Sequence, residues 1–102
     1  MLGQSAPAAT VLTSAYTVPS NKHGTVKVIV TNRAALQDSY RIAVSPNGAA
    51  IANQHYVVYD QVIGADSAVV SAPFTVGDDD IVRVYSANGS LSFSVTGIEE
   101  DD

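Results

Sequence analysis

Apolar and polar side chains alternate with a period of two twice over between residues 24 and 45, and this constrains the chain more than anything else in it. Val26, Val28 and Val30 share one parity, while Thr25, Lys27 and Thr31 share the other with Ile29. Successive side chains of an extended chain point to opposite faces, so this run reads as a strand with one dry side and one wet side. Tyr40, Ile42 and Val44 then alternate in the same way with Ser39, Arg41, Ala43 and Ser45. The residues between them, 33–38, are long enough to reverse the chain, and the simplest expectation is an antiparallel hairpin.

The same signals recur along the chain. Leu12, Ser14, Tyr16 and Val18 outline a first strand, closed by Pro19 and the turn-forming run Ser20-Asn21-Lys22-His23-Gly24. Ser45-Pro46-Asn47-Gly48 is a turn, and residues 49–54 read as a loop with at most one helical turn. Residues 55–63, His-Tyr-Val-Val-Tyr-Asp-Gln-Val-Ile, are β-branched or aromatic on both parities. Such a strand is expected to be buried on both sides or to lie at a contact surface. Ala68, Val70, Ala72, Phe74 and Val76 suggest two short strands or one edge strand kinked at Pro73. Asn88-Gly89 is a strong signal for a two-residue hairpin between Ile81-Val82-Arg83-Val84-Tyr85 and Leu91-Ser92-Phe93-Ser94-Val95. The expected fold is all-β, a seven- to eight-stranded antiparallel β-sandwich of jelly-roll or immunoglobulin-like type. Its domain spans residues 10–98, between an extended N-terminal arm at 1–9 and an acidic tail at 99–102.

Composition narrows the role. Charged residues make up 15% of the chain, against about 25% in an ordinary soluble domain. The exterior is therefore dressed mainly in neutral polar and small side chains, which suits docking onto copies of itself or a larger assembly because few charges need be desolvated. The net charge of −5, with only five scattered basic residues, disfavours nucleic acid as a partner. No run is apolar for long enough to suggest a membrane span. Met1 to Ser5 has no positively charged stretch followed by an apolar one, so the expectation is synthesis in the cytoplasm without a secretory leader.

Catalytic and metal chemistry finds little to stand on. Asp78, Asp79 and Asp80 with Asp66 offer oxygen ligands, but not the alternating acidic loop with a distal Glu that a calcium site of that kind needs. His23 and His55 have no cysteine to complete a zinc set. A serine with His55 and Asp60 lacks the Gly-x-Ser-x-Gly elbow of a serine hydrolase. The reading is a non-enzymatic protein with no catalytic residues, no metal and no cofactor. Of five tyrosines, most are expected in the core with hydroxyls at its rim, and Tyr59, opposite in parity to Tyr56, is the best candidate for contact. The candidate interaction surface is Tyr56, Tyr59, Asn53 and Gln54, with Leu2 and Gln4 on the arm.

Several stretches carry a likeness. They are Tyr16-Thr17-Val18-Pro19, the valine-rich strand ending Thr31-Asn32-Arg33, Arg41-Ile42-Ala43-Val44, and Gly48-Ala49 with His55-Tyr56 and Tyr59-Asp60. Asp80-Ile81-Val82-Arg83-Val84-Tyr85 and Leu91-Ser92-Phe93 with Gly97-Ile98-Glu99 complete the set. Together, and in this order, they resemble a family of small structural proteins of tailed bacteriophages. The resemblance implies a virion component, with capsid decoration (cement), head or neck fibre attachment and tail appendage all compatible. Decoration of the outside of the major capsid shell is the leading expectation, with the major capsid protein or other virion proteins as partners. A homo-oligomer, a trimer among the admissible states, goes with it. The alternative is a fibre module that binds a host receptor or glycan.

Overall fold

The computed structural model describes residues 2–71 and 73–101, which form nine strands and no α-helix. They are β1 (Gly3–Ser5), β2 (Thr13–Thr17), β3 (Lys22–Asn32), β4 (Asp38–Ser45), β5 (Tyr56–Ile63), β6 (Ala68–Val70), β7 (Phe74–Val76), β8 (Ile81–Ser86) and β9 (Leu91–Asp101). Two antiparallel sheets result. The first runs β1-β9-β3, with β6 and β7 end to end along the far side of β3, and the second runs β2-β8-β4-β5. The arrangement is β-sandwich-like.

Alternation places the core where the sequence puts it. Val26, Val28 and Val30 on β3 are buried, as are Leu91, Phe93 and Val95 on β9. The register sets Val28 opposite Val95 and Val30 opposite Phe93, so the two strands present one continuous apolar face. The second sheet answers with Tyr16, Tyr40, Ile42, Val82 and Val84. Across the core, Tyr40 and Phe93 meet edge to face with ring centroids 6.4 Å apart. Each buried valine contributes about 1.5–3 kcal/mol relative to an exposed one.

Strand partnership departs from the sequence reading. The expected hairpin over 24–45 does not form: β3 lies in the first sheet and β4 in the second, so their dry faces look at each other across the core. Alternation requires each dry face to be covered, and a facing sheet covers it as well as any other arrangement does. Asn88-Gly89 is likewise a crossing between sheets, from β8 to β9. Gly89 has φ 76° while Asn88 stays out of the positive region, whereas the hairpin turn expected there needs both. The neighbours in sequence that share a sheet are β4 with β5 and β6 with β7.

Buried polar groups hold these crossings. Asp38 is nearly inaccessible at the start of β4, and its carboxylate accepts hydrogen bonds from Ser86 Oγ (2.7 Å), Ser90 Oγ (2.9 Å) and the N–H groups of Ser39 (2.7 Å) and Asn88 (3.0 Å). Burial alone would raise its pKa, but these donors outweigh it and hold the carboxyl below the usual carboxylate range. Asn32, equally buried, donates to the carbonyls of Leu36 and Gly64 and accepts from Ala34 N–H, closing the β3–β4 connection. Between β6 and β7, Ser71 bonds β3 in their place: its N–H donates to the Val28 carbonyl and its Oγ accepts from Val28 N–H, both at 2.8 Å.

Sheet pairing extends into both terminal segments. Gly3–Ser5 pairs with β9, and Leu2 N–H donates to the Val95 carbonyl. A Cβ on Gly3 would fall 2.0 Å from the Ala15 carbonyl oxygen of β2, so glycine lets β1 close that side of the two-sheet stack. At the other end β9 continues to Asp101, opposite Lys22, while Met1 and Asp102 lie outside the described residues. The Tyr16 hydroxyl donates to Glu99, tying β2 to this extension, and Lys22 pairs with Asp101 at 2.6 Å.

Candidate functional site

Charged and aromatic side chains converge on the outer face of the second sheet, the side turned away from the core. Strict alternation would send Tyr56 and Tyr59, three residues apart, to opposite faces of β5. The register against β4 prevents this: Tyr56 faces Ala43, Val58 faces Ile42 and Gln61 faces Tyr40, so β5 carries an extra residue between each successive pair. These bulges, with Asp60 at φ 50°, re-aim the side chains and bring the two rings into edge-to-face contact at 4.9 Å.

Arg41, on the neighbouring strand, is the hub. Its guanidinium carbon lies 4.3 Å from the centroid of Tyr59 and 4.4 Å from that of Tyr85, which sits opposite Arg41 on β8. Its Nε donates to Asp60 Oδ1 at 2.5 Å and one Nη to Oδ2 at 3.3 Å. The hydrogen bond to Asp60 raises the arginine pKa further, partly opposed by desolvation. Tyr85, Arg41 and Tyr59 thus form a stacked row across three strands, with the cation held in a fork by a carboxylate. Arg83 extends the face toward β2, donating to Ser45 Oγ (2.8 Å) and Ser14 Oγ (3.2 Å). Two of the five basic residues of an acidic chain therefore share one surface.

The expected strand over 55–63 is a contact-type strand and not one buried on both sides. It is the edge of its sheet, and Val57, Tyr59 and Val62 are 45%, 58% and 56% exposed. Its outer edge has no neighbouring strand among the described residues, which is why the doubly apolar pattern does not produce double burial.

The sequence-derived surface residues separate into two groups. Tyr56 and Tyr59 belong to the stacked row, and Gln54 is exposed on the single 3-10 turn Asn53–His55 that leads into β5. The side chain of Asn53 lies outside what the structure describes. Leu2 instead packs against the core, and Gln4 is exposed on β1, which packs beside β2 at the opposite end of the second sheet's strand order from β5. Arg41 and Tyr85 are the participants that sequence reasoning missed. A signal existed in the alternation, which put Arg41 on the wet side of its strand, but their contact with Tyr59 depends on the β5 bulges.

Other chemistry-bearing residues have structural partners. His55 Nδ1 accepts from Ala52 N–H at 3.0 Å, and Asp60 is turned to Arg41. Asp80 accepts from the N–H groups of Gly77 and Asn47, and Asp79 from Ser20 Oγ, so the acidic turn clamps neighbouring loops. Among the described residues no group of three or more histidines and carboxylates is arranged to hold a metal ion. On the first sheet a shallow groove of about 490 Å³ is lined by Thr25, Lys27, Val70, Pro73, Gly97 and Ile98. No protein-family model, curated protein or solved structure matches the chain.

Proposed function

We propose that the protein is a non-enzymatic structural module that docks onto a larger particle through the outer face of its second sheet. The observation that carries this reading is the Tyr59–Arg41–Tyr85 stack, held in place by Asp60 on an open surface. Tyrosine and arginine are the side chains that anchor protein interfaces, and a guanidinium already fixed in a fork loses little rotamer freedom on docking. The sparse charge of the rest of the chain fits a surface that must shed water against a partner.

Within that class, the sequence resemblance leads us to propose a bacteriophage virion component. Its most concrete form is a capsid decoration protein on the outside of the major capsid shell, of jelly-roll or immunoglobulin-like type, made in the host cytoplasm. Cryo-EM of virions carrying this protein tests the station: density for the domain is expected at junctions between capsid subunits, with the Tyr59 face toward the shell. Density confined to a tail or neck, or absence from the particle, overturns it.

A second reading keeps the same face but makes it a receptor or glycan module. The exposed Tyr59 ring, bordered by the Arg41–Asp60 pair, offers a stacking platform with polar groups beside it. A glycan array separates the two, since a decoration protein should retain no sugar.

A further inference from the structure

The four sheet edges are not equally protected. On the first sheet, β1 is three residues long, and the opposite edge is made of β6 and β7, three residues each with Pro73 between them. On the second sheet, β2 is five residues long, bulged at Ser14/Tyr16 and packed beside β1. Short strands, proline and bulges are the means by which edges avoid adding a foreign strand. The β5 edge spans eight residues and has neither lysine nor proline, and Val57, Tyr59 and Val62 stand open along it. Asp60, at φ 50°, divides it into two runs, 56–59 and 61–63, that can offer backbone groups.

We infer that β5 is a self-association edge, on which a second copy of this chain docks its own β5 antiparallel about a two-fold axis. This deepens the assembly reading above by assigning its homo-oligomer contact. Charge favours a second copy over a charged partner. Asp60 is the one ionisable carboxylate in β5 and is already paired with Arg41, so an acidic or basic partner finds no net charge to match. Seven of the ten acidic residues lie at 78–80 and 99–102, away from β5 in the chain and on other elements, so two copies can meet here without pressing those runs together. Antiparallel pairing also carries the Asp66 end of one strand toward the His55 end of the other. A two-fold contact is self-complementary and closes, which limits it to a dimer instead of a growing fibre.

Sedimentation velocity across the micromolar range tests the inference. The unmodified protein should sediment as a dimer, and Val57→Lys with Val62→Lys should weaken association at least about tenfold while leaving the circular dichroism of the fold unchanged. Because the chain has no cysteine, single substitutions Val57→Cys, Tyr59→Cys and Gln61→Cys supply a second measurement. At least one should form a disulfide-linked dimer on oxidation, and Lys27→Cys on the first sheet should not. A monomer at every concentration, a dimer that survives both lysines, or cross-linking no better on β5 than at position 27 overturns it. Tyr85→Ala separates this inference from the docking proposal, since it should impair attachment to a particle and leave the dimer intact.

Discussion

Ser86 donates a 2.7 Å hydrogen bond to the carboxylate of Asp38, joining the end of one strand to the start of its neighbour at a point where neither side chain reaches water. Ser90 Oγ adds a bond from beyond the sheet crossing, so one buried anion serves both sheets. The donors hold the Asp38 pKa below its unfolded value of about 3.9. A depressed folded-state pKa contributes stability that is present above the unfolded pKa and lost as pH falls through the folded one. Asp38→Asn should cost about 1–3 kcal/mol at neutral pH and should flatten the loss of stability below about pH 4. Urea denaturation at a series of pH values reads both effects, and an unchanged acid limb in the variant counts against this account.

Tyr16 predicts the opposite limb. Burial first, and then the hydrogen bond and charge of Glu99, raise its phenol well above the ordinary tyrosine range. A raised folded pKa gives stability that is complete below the unfolded value of about 10 and declines above it. Tyr16→Phe should therefore weaken the alkaline fall in stability, measured by thermal denaturation between neutral and strongly basic pH.

The two faces of β3 predict contrasting substitutions. Val28→Asp places a carboxylate at a fully buried position and should prevent folding, since the penalty of several kcal/mol rivals the about 5–15 kcal/mol by which a domain is stable. Lys27→Asp, on the exposed side of the same strand, should change stability by no more than about 0.5 kcal/mol. Circular dichroism and chemical denaturation of both variants decide it, and equal damage refutes the face assignment.

Tyr40 and Tyr59 provide a second contrast. Tyr40→Ala should cost about 3–5 kcal/mol, because that ring is buried against Phe93. Tyr59→Ala should cost about 1 kcal/mol or less, the order of a cation–π contact at an exposed site, while abolishing attachment to any partner that uses this face. Co-sedimentation with candidate particles, beside a stability measurement, reads the two effects apart.

Gly97 should resist replacement even by alanine. It sits at φ 155° opposite Val26, and an added Cβ would come 2.1 Å from the Thr25 carbonyl oxygen. Gly97→Ala should destabilise by at least about 1–3 kcal/mol, chiefly by forcing β9 away from β3, and hydrogen exchange at Val26 and Lys27 should rise with it.

Much of the core was legible in the sequence because it is a local property. The parity of Val26, Val28 and Val30, or of Leu91, Phe93 and Val95, is decided within each strand and survives whatever the partner. Partnership was not legible for the same reason. Nothing in residues 33–38 or at Asn88-Gly89 distinguishes a reversal within one sheet from a step across to the other. What favours the step is the meeting of Asp38, Ser86 and Ser90, residues far apart in the chain. The contact face divides similarly. Tyr59 stood out because its strand is apolar on both parities, whereas its stacking on Arg41 requires two inserted residues in β5 that no periodicity reveals.

The position of β9 has a consequence for how the chain acquires its structure. It is synthesised after every strand it touches, yet it lies in the interior of its sheet, between β1 and β3. Until Leu91 and the residues after it emerge, β1 has no partner in its sheet and β3 shows a bare flank, so the nascent chain must wait with unsatisfied strands exposed. Loss of this last segment would thus remove an inner stave and not a trimming, and a shortened chain should gather into aggregates where the whole one folds.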